Sequence, residues 1–282
     1  MDARDRLEGM RRDVDAELER LLAGGGSRLF EALRYAVLGG GKRFRPLLLI
    51  STGEAFGSGR AALLPYACAV ELIHSFSLVH DDLPSMDNDD VRRGKPSCHK
   101  AFGEGPALLA GDGLLALAFE TIARAPQPPG HPERKDAVLR EISVAVGVHG
   151  MVEGQWMDIG LRPGEAGEGV FTELVRKKTG ALIRASAAAG ALVAGAPPEG
   201  LAAIERYGEA VGLAFQLRDD LADSAPAGSA SGLDAVALFG RDGARARLER
   251  CVSEAIAALD GGGIASPELR HLARDLRAEG RV

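Results

Sequence analysis

The stretch ELIHSFSLVHDDLPSMDNDDVRRGK, residues 71–95, decides the fold, because an apolar helix-like segment ends there on a cluster of aspartates. The segment from residue 63 to residue 79 is apolar on all sides, and such a helix belongs at the centre of a large bundle. Pro84 ends the helix, since the residue before a proline avoids the α region. We therefore expect Asp87 to return, on the following turn, to the helix end that carries Asp81.

A second aspartate cluster, FQLRDDLAD at residues 215–223, also follows an apolar segment. On a helix, Asp223 lies about 40° from Asp219, and Gln216 joins the same face. A solvent-exposed acidic helix end is the ordinary interpretation, but the apolar residues before the cluster argue against it. Carboxylates beside an apolar core are costly unless cations neutralise them. Because Mg²⁺ is normally held by a few carboxylates and substrate phosphates, the two clusters predict a site for a metal-bound phosphate or diphosphate.

Basic residues accompany the clusters. His74 lies seven residues before Asp81, on nearly the same helix face, although a lone histidine in a buried helix is more often a core residue. The segment GGGKRFRP, residues 39–46, joins a triple glycine to a helix start, where free backbone N–H groups favour an anion. It does not fit the P-loop spacing, so it does not indicate nucleotide binding. The further cations are Lys42, Arg43 and Arg45 in that segment, Arg92 and Arg93 after the first cluster, and Lys178 before Thr179.

Composition excludes several classes of function. The 282-residue chain has a net charge of −6 and 5% aromatic residues, so neither a basic field nor a stacking surface favours nucleic acid. Cys68, Cys98 and Cys251 lack metal-ligand spacing and are typical of free thiols in a reducing compartment. The N-terminus is too charged for a signal peptide. Arg184 and Asp112 interrupt the longest apolar stretches, so we expect no membrane span and a soluble, cytoplasmic protein.

Helical periodicity covers nearly the whole chain, and strand alternation is nearly absent. The Pro- and Gly-rich pieces have the composition of surface loops rather than domain linkers. We therefore expect one all-α domain over residues 1–282. The predicted helices lie near 2–23, 27–38, 46–57, 60–82, 106–124, 133–161, 170–195, 199–223, 241–260 and 266–279.

With these motifs in order, the chain resembles the trans-polyprenyl diphosphate synthases. The resemblance is most specific at 39–46 (GGGKRFRP), 71–103, 178–180 (KTG) and 215–223 (FQLRDDLAD). It implies a bundle of about ten or more helices around a central cavity, of the isoprenoid synthase type, and a homodimer. It also implies head-to-tail (1′–4) transfer of a prenyl group from dimethylallyl or geranyl diphosphate to isopentenyl diphosphate.

The same resemblance assigns roles to residues, and the two substrates divide them. Three Mg²⁺ ions would bind together with the allylic diphosphate, and isopentenyl diphosphate would occupy a basic pocket, which suits two groups that each carry close to three negative charges. The family's pattern places the metals on Asp81, Asp87 and Asp219 with Asp82 and Asp223 in support, the allylic group on Arg92, Lys178, Thr179 and Gln216, and isopentenyl diphosphate on Lys42, Arg45, His74 and Arg93. Asp81, Asp82, Lys178 and Asp219 would act in catalysis.

The resemblance also bears on product length. Phe76 and Ser77 precede Asp81 by five and four residues, and in the family an aromatic residue at the fifth position accompanies a shallow pocket and a fifteen-carbon product. An ideal helical wheel places Ser77 nearer the face of Asp81, so this argument depends on the resemblance. We expect farnesyl diphosphate, with geranylgeranyl diphosphate as the alternative.

The chain departs from the family after the second cluster. No lysine follows Lys178, whereas the family usually has lysines in the loop after this motif. One contact to the allylic diphosphate is therefore missing unless Arg241 or a neighbour replaces it, and arginine is not equivalent to lysine at a phosphate site.

That departure keeps other functions open. A weakly active or regulatory subunit of a heteromeric synthase would explain the altered loop, but the intact aspartates argue against it. A terpene cyclase needs no second diphosphate site, so Lys42, Arg45 and His74 argue against that. A calcium-binding or purely structural helical protein ranks last, because DNDDVRRGK lacks the EF-hand spacing.

Overall fold

The computed structural model describes residues 2–126, 131–161, 167–223 and 234–278, and these form an all-α fold, as predicted. A single domain over 1–282 stays a prediction. The α-helices are Ala3–Leu22 (α1), Arg28–Val37 (α2), Phe44–Ala55 (α3), Arg60–Asp81 (α4), Cys98–Phe102 (α5), Glu104–Arg124 (α6), Glu133–Val146 (α7), Met151–Gly160 (α8), Glu168–Val175 (α9), Ala181–Ala194 (α10), Pro198–Asp223 (α11), Ala235–Gly261 (α12) and Pro267–Asp275 (α13). A π-helical turn, Arg176–Gly180, joins α9 to α10.

The centre of the bundle consists of α3, α4, α10 and α11. Helix α4 packs against α3 and α6, and α10 packs against α3, α7 and α11. Small residues allow these close approaches: a Cβ atom on Gly190 of α10 would lie 2.1 Å from the carbonyl oxygen of Leu49 in α3. Helix α1 covers this core with the one-sided spacing of a surface helix, burying Leu7, Met10, Val14, Leu18 and Leu22.

Two predicted helices depart from one regular α-helix. The segment 133–161 is two helices, α7 and α8, separated at residues 147–150. A Cβ atom on Gly150 would lie 2.0 Å from the carbonyl oxygen of Ala145, so this tight return requires glycine. The segment 170–195 keeps a helical backbone but contains the π-helical turn, in which Thr179 and Gly180 are weak helix formers. The prediction of one continuous helix over 133–161 was wrong.

Two further differences concern the loops. Helix α12 begins at Ala235 rather than near residue 241, and Gly240, with a φ of 67°, kinks it at the predicted start. A short hairpin pairs Val91–Arg92 (β1) with Lys95–Pro96 (β2) across Arg93 and Gly94, which both have positive φ. Two residues per strand are too few to show an alternating pattern, so the hairpin was missed.

By length and composition, α4 and α6 could each cross a bilayer. In α4, 67% of the apolar window is buried, which its central position in the bundle explains. In α6, 39% is buried, and Leu108 and Leu109 are 47% and 62% exposed. The expectation of no membrane span therefore stays a prediction, and the exposed face of α6 requires its own explanation.

Candidate active site

The first aspartate cluster forms where α4 ends. The backbone N–H of Asp87 donates to the carbonyl oxygen of Asp81 at 2.9 Å. This hydrogen bond confirms the predicted return of the chain after Pro84. It brings the Asp81 and Asp87 carboxylates to the same end of the helix, although they are six residues apart in sequence.

Asp82 has a different environment from its neighbour. Its side chain is buried, and Arg92 donates to it through Nε at 3.0 Å and through a second guanidinium nitrogen. Arg92 also donates to Asp89 at 3.0 Å. Asp82 therefore orients Arg92, the residue that follows in the hairpin, and a supporting role of Asp82 toward metal stays a prediction.

Two carboxylates of the first cluster, Asp81 and Asp87, are poorly compensated. Burial raises the pKa of Asp81 to about 6; Lys178 opposes this, while Asp87 and Asp82 add to it. Burial likewise raises the pKa of Asp87. A raised carboxyl pKa means that the ionised form is unfavourable where it stands, and a cation would relieve that cost. The cluster therefore has the chemistry of a cation site.

Among the side chains that the structure describes, no three His, Cys, Asp or Glu residues converge into a complete metal site. A shell of one or two carboxylates with substrate phosphates is usual for Mg²⁺. Asp81 and Asp87 fit that shell, because they are oxygen donors with raised pKa values and adjacent positions. The assignments of Asp81, Asp82, Asp87, Asp219 and Asp223 as ligands stay predictions.

The π-helical turn places Lys178 opposite the first cluster. Burial would lower the pKa of Lys178, but hydrogen bonding to Asp158 and the charges of Asp158, Asp81 and Asp87 outweigh it, so the pKa is raised. A Cβ atom on Gly154 of α8 would lie 2.2 Å from the backbone nitrogen of Lys178. Glycine at this position therefore allows α8 to lie against the turn.

Sequence reasoning missed Asp158, which is the hydrogen-bonding partner of Lys178. The signal was present, because Asp158 stands near the end of a mostly apolar segment, as do the two clusters that were noticed. Because Asp158 is a single carboxylate rather than part of a cluster, the sequence pattern did not indicate a functional role for it.

The second cluster is held by hydrogen bonds rather than by a returning loop. Thr179 donates its hydroxyl to Oε1 of Gln216 at 2.9 Å, and Nε2 of Gln216 donates to Asp220 at 2.8 Å. The predicted allylic contacts Thr179, in the π-helical turn, and Gln216, in α11, are thus brought together. Asp219 acts on a different group, since it raises the pKa of Lys42 and Arg45 against the lowering effect of their burial. The side chain of Asp223 and the lysine-free segment 224–233 lie outside the described residues.

Among the residues predicted to bind isopentenyl diphosphate, Arg45, His74 and Arg93 lie close enough together for the charge of one to change the pKa of another. Burial lowers the pKa of Arg45 to about 10, and its guanidinium lies 5.7 Å from the Phe215 ring. Burial, followed by the charges of Arg45 and Arg93, lowers the pKa of His74 well below its ordinary value. Arg93 donates to the carbonyl oxygen of Gly40, which joins the hairpin to the triple-glycine loop. Concentrated positive charge of this kind favours an anion.

Arg43, in the same basic segment, is not available to a substrate. It is 3% exposed and donates to Glu71 and to Asp15, each at 2.7 Å. It also donates to the Val37 carbonyl oxygen at 2.9 Å. A φ of 54° at Arg43 reverses the chain before α3, so this residue fixes the loop that carries Lys42.

Phe76 and Ser77 lie on α4 below the first cluster. Phe76 is 9% exposed and meets the His80 ring edge-on, with centroids 4.9 Å apart. Nε2 of His80 lies 3.0 Å from the Leu108 carbonyl oxygen on α6. Ser77 donates back to the His74 carbonyl oxygen at 3.0 Å. Phe76 therefore packs against His80 of its own helix, and His80 in turn contacts α6; the effect of Phe76 on product length stays a prediction.

Comparison with known proteins identifies the family. The family model described as polyprenyl synthetase matches residues 27–235. The chain belongs to the polyprenyl synthetase family. It is 44% identical to a farnesyl diphosphate synthase of Geobacillus stearothermophilus over 222 residues, covering 77% of this chain and 74% of that protein. It is 37% identical to farnesyl diphosphate synthase of Escherichia coli, covering 100% of this chain and 91% of the relative.

The fold agrees with the family. The crystal structure of an FPP/GFPP synthase from Zymomonas mobilis, an apo structure, superposes with a TM-score of 0.89 at 37% identity. The superposition covers 98% of this chain and 99% of that one. The predicted resemblance is thereby confirmed, and with it the isoprenoid-synthase type of helical fold.

Proposed function

We propose that this protein condenses isopentenyl diphosphate head-to-tail (1′–4) with an allylic diphosphate to give farnesyl diphosphate. Family membership makes it a short-chain trans-prenyl diphosphate synthase. The observation that carries the proposal is the separation of charge in the site. Poorly compensated carboxylates at Asp81 and Asp87 face Lys178, and a separate group of cations surrounds His74 and Arg45.

Two diphosphates require this division. Lys42, Arg45 and Arg93, with His74 as a neutral hydrogen-bond donor, would hold the diphosphate of isopentenyl diphosphate directly. The aspartate clusters would hold the allylic diphosphate through Mg²⁺, with three ions expected and with Asp81, Asp87 and Asp219 as principal ligands. The metal would stabilise the negative charge that develops on the leaving diphosphate.

The residues around the metal complete the reaction. Arg92 and Lys178 would hold the allylic diphosphate, Thr179 and Gln216 would contact the allylic group, and Lys178 would stabilise charge as the C–O bond breaks. The double bond of isopentenyl diphosphate then attacks the allylic cation, and the departed diphosphate accepts the proton that is lost. The apolar walls of the bundle exclude water from the cation.

Farnesyl diphosphate is the proposed product because Phe76 stands five residues before Asp81 and is packed against His80. The ring would close the pocket beneath the first cluster. Geranylgeranyl diphosphate is the alternative if the ring moves aside. The names of the Geobacillus and Escherichia coli relatives support the shorter product.

A homodimer in the cytoplasm completes the proposal. Apolar side chains are exposed on α6. On α8, the apolar residues Val152, Trp156 and Ile159 are 47%, 75% and 57% exposed. Exposed patches of this kind commonly mark association surfaces. A second copy of the chain would cover them, and sedimentation velocity of the purified protein tests this, since a concentration-independent monomer would contradict it.

The decisive experiment is product analysis. The purified protein is incubated with Mg²⁺, isopentenyl diphosphate and dimethylallyl, geranyl or farnesyl diphosphate, and the products are sized by mass spectrometry. We expect fifteen-carbon diphosphate from the two shorter primers. A cyclic hydrocarbon made without isopentenyl diphosphate would indicate a terpene cyclase. Absence of product unless a partner subunit is added would indicate the regulatory alternative.

A further inference from the structure

A chain of hydrogen bonds, which we call the Asp220 relay, runs from the π-helical turn to the start of α12. Thr179 donates to Gln216 at 2.9 Å, and Gln216 donates to Oδ1 of Asp220 at 2.8 Å. The backbone N–H of Ala235 donates to Oδ2 of Asp220 at 2.9 Å. The relay thus joins three separate elements, the π-helical turn, α11 and α12.

The direction of each bond in the relay is fixed by Asp220. An ionised carboxylate can only accept hydrogen bonds, so it selects the NH₂ group of Gln216. The amide oxygen of Gln216 must then face Thr179 and accept its hydroxyl proton. With that proton committed, the Thr179 oxygen presents an acceptor to a bound substrate, so it would lie against the positive charge that develops on the allylic carbon rather than donate to the diphosphate.

We propose that Asp220 is a positioning residue for the allylic substrate, acting through Gln216 and Thr179. This inference rests on the proposed function and assigns the middle aspartate of the second cluster a role distinct from that of Asp219. Ala235 contributes to the relay, because its N–H donates to Oδ2 of Asp220 and so orients Oδ1 toward Gln216. The start of α12 therefore helps to determine which end of the Gln216 amide faces Thr179.

The test compares two variants at the same helix start. Asp220→Asn presents one NH₂ group in place of an oxygen, so either Gln216 reverses its amide or the bond to Ala235 is lost. Asp234→Ala removes a different cap of α12, since Asp234 accepts from the Val236 N–H at 2.7 Å and takes no part in the relay. Both changes weaken the start of α12, but we expect only Asp220→Asn to change the kinetics with the allylic substrate.

For Asp220→Asn, we expect kcat/KM for the allylic diphosphate to fall about ten- to a hundredfold, as for other misplaced substrate contacts. The KM for isopentenyl diphosphate and the Mg²⁺ concentration for half-maximal activity stay near those of the unchanged protein. Asp234→Ala keeps its kinetic constants but melts at a lower temperature. In a double variant with Thr179→Val, the Asp220 change adds little, because coupled residues are non-additive.

The proposal would be overturned by normal allylic kinetics in Asp220→Asn, by an equal kinetic loss in Asp234→Ala, or by full additivity with Thr179→Val. A raised Mg²⁺ requirement in Asp220→Asn would also overturn it, because Asp220 would then act on the metal. The proposed function fails separately, if the unchanged protein makes no prenyl product.

Discussion

The two aspartate clusters look alike in sequence, but their surroundings differ. In the first, a loop returns after α4 and places Asp87 beside Asp81, where burial raises both pKa values. In the second, Asp220 accepts hydrogen bonds from Gln216 and Ala235, and Asp219 raises the pKa of nearby cations. The first cluster is therefore a place of unfavourable charge, whereas the second is partly structural. The two motifs are thus similar in sequence but differ in how well neighbouring groups already compensate their carboxylates.

The largest expected effect tests whether both clusters are needed. Asp81→Ala and Asp219→Ala should each reduce turnover by about 10³-fold or more, since each removes a proposed ligand of the metal that would stabilise the leaving diphosphate. Product formation measures this, and circular dichroism checks that the helices remain. Asp90→Ala is the matched control from the first cluster, because Asp90 is exposed and pairs with Lys100 at 2.8 Å. Near-normal turnover in either Asp81→Ala or Asp219→Ala would contradict the metal assignment.

The next prediction concerns the turn between the clusters. Gly154→Ala would place a Cβ atom 2.2 Å from the Lys178 backbone nitrogen, so the turn must move. Because Lys178 acts on the first cluster and Thr179 on the second, we expect turnover to fall about 10²-fold. Gly160→Ala, at the end of the same helix, meets nothing within 4 Å and should leave activity unchanged. Equal activity of the two variants would show that the turn tolerates displacement.

A third prediction uses the unfavourable charge of Asp81. Its folded-state pKa of about 6 exceeds the ordinary value of 3.8, so ionisation destabilises the folded protein as pH rises through that range. Without metal, Asp81→Asn should raise the free energy of unfolding by about 2 kcal/mol at pH 7.5. The gain should vanish near pH 3, below the ordinary value of 3.8, where the carboxyl is protonated in both states.

Urea unfolding in the presence of a chelator measures this difference at both pH values. The variant should nevertheless be inactive, so that stability and function change in opposite directions. A loss of stability at pH 7.5 would mean that neighbouring cations already compensate Asp81, and the contrast between the clusters would disappear.

The smallest expected effect on rate comes from changing Phe76, which lies on α4 below the first cluster and is predicted to set product length. Phe76→Ala should lengthen the products while turnover changes by less than about tenfold, since no charged group is lost. Removing a buried ring costs about 3–5 kcal/mol, so Phe76→Leu serves as the more stable version. Mass spectrometry sizes the products, and an unchanged fifteen-carbon product from both variants would refute the role of Phe76.

Much of the fold could be predicted because its signals are local. The all-round apolar character of α4 and the one-sided pattern of α1 follow from the order of residues. The breaks could not be predicted as easily. Gly150 allows the tight return between α7 and α8 because it lies against the Ala145 carbonyl, and the π-helical turn lies against Gly154 of α8. The second contact joins separate segments, and sequence order does not reveal it.

The same division holds for the site. Motifs and spacing identified the family, the charged residues of both clusters and the return of Asp87 to the end of α4. The tertiary structure decided which of these charges are compensated. Arg92 forms an ion pair with Asp82, Glu71 forms one with Arg43, and Asp158 accepts a hydrogen bond from Lys178. Sequence determines which groups can be charged, whereas burial and partners are set by packing between distant segments. The free energy of each charge depends on that packing, and so does its availability to a substrate.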